Sequence, residues 1–168
     1  MEFTALLNKR RSIRNFNDQP VEEAKLLKVL DSAAYAASAM NQQSWFFVLL
    51  DNKEIILGLA AMIDEQNDSF YGANHVILMF AKDDNIAPLI DTSLAASNMM
   101  YQACDLGLGT CWIHGVKEIL NDSRYNLLKE KMGVPQGYSC IGSLAIGYYD
   151  QPTPDRSPRK YDYFSIVK

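Results

Sequence analysis

The chain has 168 residues, 48% of them hydrophobic, and a formal net charge of -4, which describes one domain able to bury most of its apolar surface. It holds no apolar run long enough to span a bilayer, and Met1-Glu2-Phe3-Thr4 has neither the basic n-region nor the apolar core of a signal peptide, so a soluble, cytoplasmic protein with no membrane partner is expected. With a pI near 5.1 and its cations gathered in two patches, it lacks the broad basic face that nucleic-acid binding requires.

Phe3, Leu6 and Leu7 predict a first helix that runs into Lys9, Arg10, Arg11, Ser12 and Arg14. From Val21 to Ser38 the apolar positions Leu26, Leu27, Leu30, Ala33, Ala34 and Ala37 fall on one helical face, with Pro20 just before it. A polar loop, Met40-Asn41-Gln42-Gln43-Ser44, follows. Trp45 to Leu50 and Val76 to Ala81 are continuous apolar runs of strand length, the pattern of central strands buried on two faces. Between them, Glu54 to Met62 predicts a helix that tolerates Gly58.

Asp91 to Leu106 contains neither Gly nor Pro and is rich in Ala, Met and Leu, predicting a long buried helix that starts near Pro88 and ends at Gly107-Leu108-Gly109. Thr110 to Ile113 is a short third strand, Ser123 to Met132 a helix stopped by Gly133-Val134-Pro135, and Ser139 to Tyr148 a fourth strand. From about residue 150 to 168 the chain becomes an extended arm, with Pro152, Pro154 and Pro158 excluding regular structure. Its Tyr161, Tyr163, Phe164, Ile166 and Val167 call for a surface to dock on. The whole reads as a single domain spanning 1–168.

The three cysteines, Cys104, Cys111 and Cys140, form no C-x-x-C pair and read as reduced, buried thiols. There is no metal-ligand spacing, nucleophile elbow, Walker loop or complete G-x-G-x-x-G. His75 opens a buried strand and reads as structural. His114 follows a strand end, where ligand contact and a structural role are equally open. An enzyme with so few reactive side chains takes its chemistry from a cofactor.

Lys9, Arg10, Arg11 and Arg14 near one end, with Arg156, Arg159 and Lys160 near the other, concentrate seven of the sixteen basic residues in two segments. Arginine forks suit a phosphate. The alternative is a solvated basic face that closes the first helix. A planar heteroaromatic cofactor with one phosphate would use these cations, the amides of Asn41 and Gln43, and backbone groups near Gly109 to Gly115; flavin mononucleotide (FMN) has that shape.

Arg10-Arg11-Ser12-Ile13-Arg14-Asn15-Phe16, followed by Pro20-Val21, resembles the N-terminal signature of the FMN-dependent nitroreductase family. Ser38-Ala39-Met40-Asn41-Gln42-Gln43-Ser44-Trp45-Phe46-Phe47-Val48 is similar to its S-x-x-N-x-Q-P-W-x-F-V segment. Asp91 to Asn98, running through Gly107-Leu108-Gly109-Thr110-Cys111-Trp112-Ile113, resembles its central helix and the strand after it. Leu144 to Tyr148, then Pro158-Arg159-Lys160, resembles its closing strand and basic tail. The four blocks stand in the family's order and span nearly the whole chain.

The resemblance implies a nitroreductase-like α+β fold, with a mostly antiparallel central sheet flanked by helices and a C-terminal arm exchanged between the subunits of a homodimer. It implies FMN at the subunit interface, held through phosphate and ribityl chain by Arg10, Arg11, Ser12, Arg14 and Arg159, with Lys160 and Arg156 beside them. Ser38, Met40, Asn41 and Gln43 would reach the flavin from the other subunit. Backbone groups of Ile113, His114 and Gly115 would meet the ring. The implied activity is ping-pong hydride transfer from NADH or NADPH to a small electron-poor acceptor, such as a nitroaromatic or quinone. The flavin carries the chemistry, and the role of the His114 side chain stays open. A specialised dehydrogenase or dehalogenase of the same fold, or a non-catalytic FMN-binding or storage protein, is the alternative. The chain departs from the pattern at Ser44, where the family has Pro, which is expected to loosen the loop. It leaves little room after Phe80 and after Cys111 for the helices that roof the pocket in longer members, and it carries His114 where some relatives have Glu.

Overall fold

The structure, a computed structural model, describes residues 2–150, 152–160 and 162–168. Helix α1 covers Phe3–Lys9, α2 Glu23–Ala33, β1 Trp45–Leu50, α3 Lys53–Ile63, β2 His75–Lys82, α4 Pro88–Asp105, β3 Gly109–Ile113, α5 Val116–Leu120, α6 Asn126–Lys131 and β4 Tyr138–Gly147. The strands form one sheet in the order β1-β2-β4-β3. Every strand pair in it is antiparallel.

Side-chain alternation along the strands splits the core into two layers. Val76, Leu78 and Phe80 of β2, with Cys140 and Ala145 of β4, pack on one face with Ile56, Leu59 and Ala60 of α3 and Val116 and Leu120 of α5. Ile77 and Met79, with Leu144 and Ile146, pack on the other face with Leu26, Val29 and Ala33 of α2 and Ala95, Ala96, Met99 and Ala103 of α4. The small residues of α4 let it lie close against both the sheet and α2.

Only β2 and β4 are central. β1 is apolar on both faces yet lies at an edge, its residues Trp45 to Leu49 half-buried, because hydrophobic run length reports burial of the faces and not pairing of both edges. Helix α2 ends at Ala33, short of the expected Ser38. Bonds from Ala34, Tyr35 and Ala36 back to Asp31, Ser32 and Ala33 tighten its last turn, and Asn98 of α4 donates to the Ser32 carbonyl at 3.2 Å. The stretch between Cys111 and Ser123 holds the short α5, whose Val116 and Leu120 are buried.

His75 is 3% exposed. Its Nε2 accepts the Val21 N–H at 3.2 Å, so Nδ1 carries the proton and faces Asp51 Oδ1 at 3.0 Å. This is the structural role expected of it. All three cysteines are buried and free, and burial pushes the Cys140 thiol up to about 12.

Candidate functional site

The basic segment leaves α1 at Arg10 with extended backbone. Arg11 then folds back: its Nη1 donates to the carbonyls of Asn8 at 2.7 Å, Lys9 at 3.3 Å and Arg10 at 2.9 Å. Its Nε donates to Pro154 of the arm at 2.9 Å. The guanidinium therefore satisfies carbonyls at the C-terminal end of α1, where a cation also complements the macrodipole. For Arg11 this is the helix-closing arrangement of the two readings of the basic segment.

Ser12 bridges Thr110 in parallel, and Ile13 N–H donates to the Thr110 carbonyl at 3.0 Å. The segment thereby extends the sheet beyond β3. Ile13 is buried, while Arg14 is exposed. A cleft of about 170 Å³ opens here, lined by Ser12, Ile13, Arg14, Asn15, Tyr149, Pro152 and Pro154.

The arm brings the second basic group to the first. Arg156 donates to the Leu7 carbonyl. Partial dehydration, and then the like charges of Arg11, Arg159 and Arg10, hold the Arg156 guanidinium below its ordinary value. Four arginines from the two ends of the sequence thus share one corner of the molecule. Lys160 is exposed on the same arm. Of the aromatic residues expected to dock the arm, Tyr163 and Phe164 are exposed, as are Ile166 and Val167; Tyr161 lies outside the described residues.

Ser38 to Gln43 has a backbone that L-residues adopt rarely. Met40, Asn41 and Gln43 take φ of 51°, 54° and 47°, and left-handed positions at residues other than glycine cost of the order of 1–3 kcal/mol each unless the surroundings hold them. Asparagine tolerates the region best. Met40 is 82% exposed, so packing does not hold it. Hydrogen bonds do: Ser38 Oγ accepts Gln43 N–H at 3.0 Å, Asn41 Oδ1 accepts Gln43 Nε2 at 2.9 Å, and Asp91 Oδ1 accepts Ala39 N–H at 3.0 Å.

Ser44 is tied through both its carbonyl and its hydroxyl. Its carbonyl accepts Lys82 N–H at 2.9 Å, and its hydroxyl takes a hydrogen bond from Asn85 Nδ2, whose other hydrogen goes to Asp91 Oδ2 at 3.1 Å. The hydroxyl supplies a tie where proline would have supplied stiffness. Asp91 and Asn85 were not legible as loop residues. An acid in the first turn of a helix is expected for its dipole alone, and no spacing links it to a loop before β1.

At the end of β3, Ile113 is buried and its carbonyl accepts Ser143 Oγ at 3.2 Å. His114 is exposed, and its carbonyl accepts Lys117 N–H at 3.1 Å as α5 begins. Gly115 lies against α3, where an added Cβ would come 2.7 Å from Ile63 Cγ2.

The chain therefore brings Arg10, Arg11, Arg156 and Arg159 together at the end of α1, next to Ser12 and Arg14, which lie beside β3. It leaves Ser38, Met40, Asn41 and Gln43 before β1, at the opposite edge of the sheet. Three strand spacings, about 14 Å, separate the two edges. Among the described residues no group of acidic, His and Cys side chains could hold a metal ion, and no helix is long and apolar enough to cross a membrane.

Comparison with known proteins identifies the family and the fold. The Nitroreductase family model matches residues 7–70 and 60–148. A protein of Archaeoglobus fulgidus, provisionally named an NADH dehydrogenase/NAD(P)H nitroreductase, is 27% identical over 88% of this chain and 85% of its own. An FMN-dependent nitroreductase from Clostridium difficile R20291 superposes with a TM-score of 0.77 at 32% identity, covering 96% of this chain and 95% of that one. A nitroreductase with bound FMN from Bacteroides fragilis has the same fold, with a TM-score of 0.91 at 22% identity over the whole of both chains. Sequence blocks, sheet order and family match agree along nearly the whole length, and the chain belongs to the nitroreductase family.

Proposed function

We propose that this protein is a cytoplasmic, homodimeric, FMN-dependent NAD(P)H oxidoreductase that reduces small electron-poor acceptors such as nitroaromatics or quinones. One observation carries the reading: four arginines from both ends of the chain converge at the end of α1, next to the Ser12 to Arg14 segment beside β3, while the strained amide loop sits at the far edge of the same sheet. A phosphate-bearing planar cofactor needs both sets, and one chain does not bring them together. Two chains related by a twofold axis would.

The residues fit FMN in chemistry. Arg10, Ser12, Arg14, Arg159 and Lys160 supply charge-assisted donors for its phosphate and ribityl hydroxyls. Arg11, engaged with backbone carbonyls, fixes the segment and adds its charge. Ser38, Met40, Asn41 and Gln43 of one subunit would meet the ring bound by the other, their amides matching the donors and acceptors on its rim. The backbone at Ile113, His114 and Gly115 would border the ring from the first subunit. Bound FMN would supply hydride acceptance from NAD(P)H and hydride donation to the acceptor.

The protein's task is to hold the ring at reacting distance and to favour negative charge on it by fixed cations. No proton-transferring side chain is required for hydride uptake, which accords with His114 being the one histidine near the site. The exposed Tyr163, Phe164, Ile166 and Val167 fit an arm that wraps the partner subunit.

Arg10→Ala should weaken FMN binding by about 1–3 kcal/mol, the range for a lost hydrogen bond to a charged group. Titration of flavin fluorescence measures it. Unchanged affinity would remove Arg10 from the cofactor site and undercut the phosphate assignment.

A further inference from the structure

The loop of Ser38 to Gln43 carries three left-handed residues, two of them, Met40 and Asn41, within a single 3-10 turn at Ala39–Asn41. Such a conformation persists only where the surroundings over-determine it. What over-determines it is a buried side-chain relay: Asp91 is 2% exposed and Asn85 8%. Asp91 Oδ1 holds the loop's entry at Ala39 N–H, and Oδ2 takes an Asn85 amide hydrogen. The second amide hydrogen of Asn85 goes to Ser44 Oγ at the loop's exit. Asn85 Oδ1 accepts Ala87 N–H at 2.9 Å, which ties the relay to the start of α4.

Both oxygens of Asp91 accept and both hydrogens of Asn85 donate, so every member has one allowed orientation. We propose that Asp91, acting through Asn85, is a positioning residue that sets the Ser38 to Gln43 loop in its cofactor-binding shape. The inference rests on the FMN reading above, since the loop is what would meet the ring. A purely structural Asp91 would serve the positive end of the α4 dipole. Its replacement would then cost stability while leaving ligand affinity alone.

The carboxamide of Asp91→Asn would keep the acceptor for Ala39 but turn an N–H₂ toward the N–H₂ of Asn85, two donors facing each other in a dry site. Exchanging the pair, Asp91→Asn with Asn85→Asp, restores it. The amide at 91 then donates to the carboxylate at 85, which still accepts from Ala87 N–H and now accepts from the Ser44 hydroxyl. The full-length protein and these variants are titrated with FMN by flavin fluorescence and melted without added FMN, and kcat and KM are measured with NADPH and a quinone.

Asp91→Asn should lose about tenfold or more in FMN affinity, as expected when a buried donor is left without an acceptor, and the exchanged pair should recover most of it. Unchanged affinity in Asp91→Asn, or a loss that the exchange does not repair, overturns the proposal. Should either variant fail to fold, Ser44→Ala decides. Weaker FMN binding in a variant that still melts cooperatively supports the relay, and unchanged binding overturns it. A wild-type protein that binds no FMN overturns the underlying reading as well, and the same titration shows that separately.

Discussion

A Cβ placed on Gly109 would lie 2.7 Å from Cγ1 and 2.9 Å from Cβ of Ile13, and 2.9 Å from Cδ1 of Tyr149. The basic segment can therefore lie beside β3 only because residue 109 has no side chain. Gly109→Ala should cost about 1–3 kcal/mol by overpacking, read as a lower urea midpoint, and should weaken FMN binding because Ser12 and Arg14 move with Ile13. A variant as stable and as tightly binding as wild type would mean that the bridge to Thr110 does not position the cations. His75 sets a different dependence. Burial outweighs the pull of Asp51 and holds its pKa below the ordinary 6.5, so between that folded value and 6.5 the unfolded chain binds more protons than the folded one. Stability is then full above 6.5 and drains as pH falls through the folded value, because a proton on Nε2 would displace the Val21 N–H. His75→Gln should flatten the acid limb of a plot of urea midpoint against pH, and an unchanged limb would assign it to other groups.

At the scale of elements, the layered packing was legible because alternation in the strands and helical spacing in α2 and α4 both repeat with the period of their structure. What escaped was set by partners distant in sequence. β1 is an edge strand because nothing pairs with its outer side among the described residues, and Trp45 to Leu50 carries no mark of that. Helix α2 stops early because Asn98 of α4 meets its carbonyl end. Helix α5, Val116–Leu120, is too short for a periodic signal. The basic residues of the site were legible by composition, and Ser38 to Gln43 by resemblance. The relay through Asp91 and Asn85 was not, since it joins a loop to a helix across the fold. Arg11 belongs at this scale too: its guanidinium ties the end of α1 to the arm. In the FMN-free protein, Arg11→Ala should hasten proteolytic cleavage of the arm and lower the thermal midpoint modestly, as for an exposed charged hydrogen bond, whereas Arg10→Ala should leave both unchanged. Equal effects in the two variants would erase the distinction between latch and ligand.

Across the whole molecule, apolar surface is left where a second copy would account for it. Ile86, Leu89 and Ile90 at the start of α4 are exposed together with Met40 of the strained loop, and the arm adds Tyr163, Phe164, Ile166 and Val167. Exposed apolar residues grouped in this way fit the interface of the proposed dimer. The sheet order keeps cations and amide loop apart within one chain, so in the proposed dimer each subunit would complete the other's site, and cofactor binding and dimer formation would be coupled. On the proposed reading the chemistry would depend on a flavin held at that junction and open to NAD(P)H. The decisive measurement is the visible absorption of the purified protein, reconstituted with FMN and titrated anaerobically with NADPH and with NADH. The account predicts a yellow protein that one of the two nucleotides bleaches and that a quinone or nitroaromatic restores. A protein that cannot be reconstituted with FMN, or whose bound FMN neither nucleotide reduces, would contradict it.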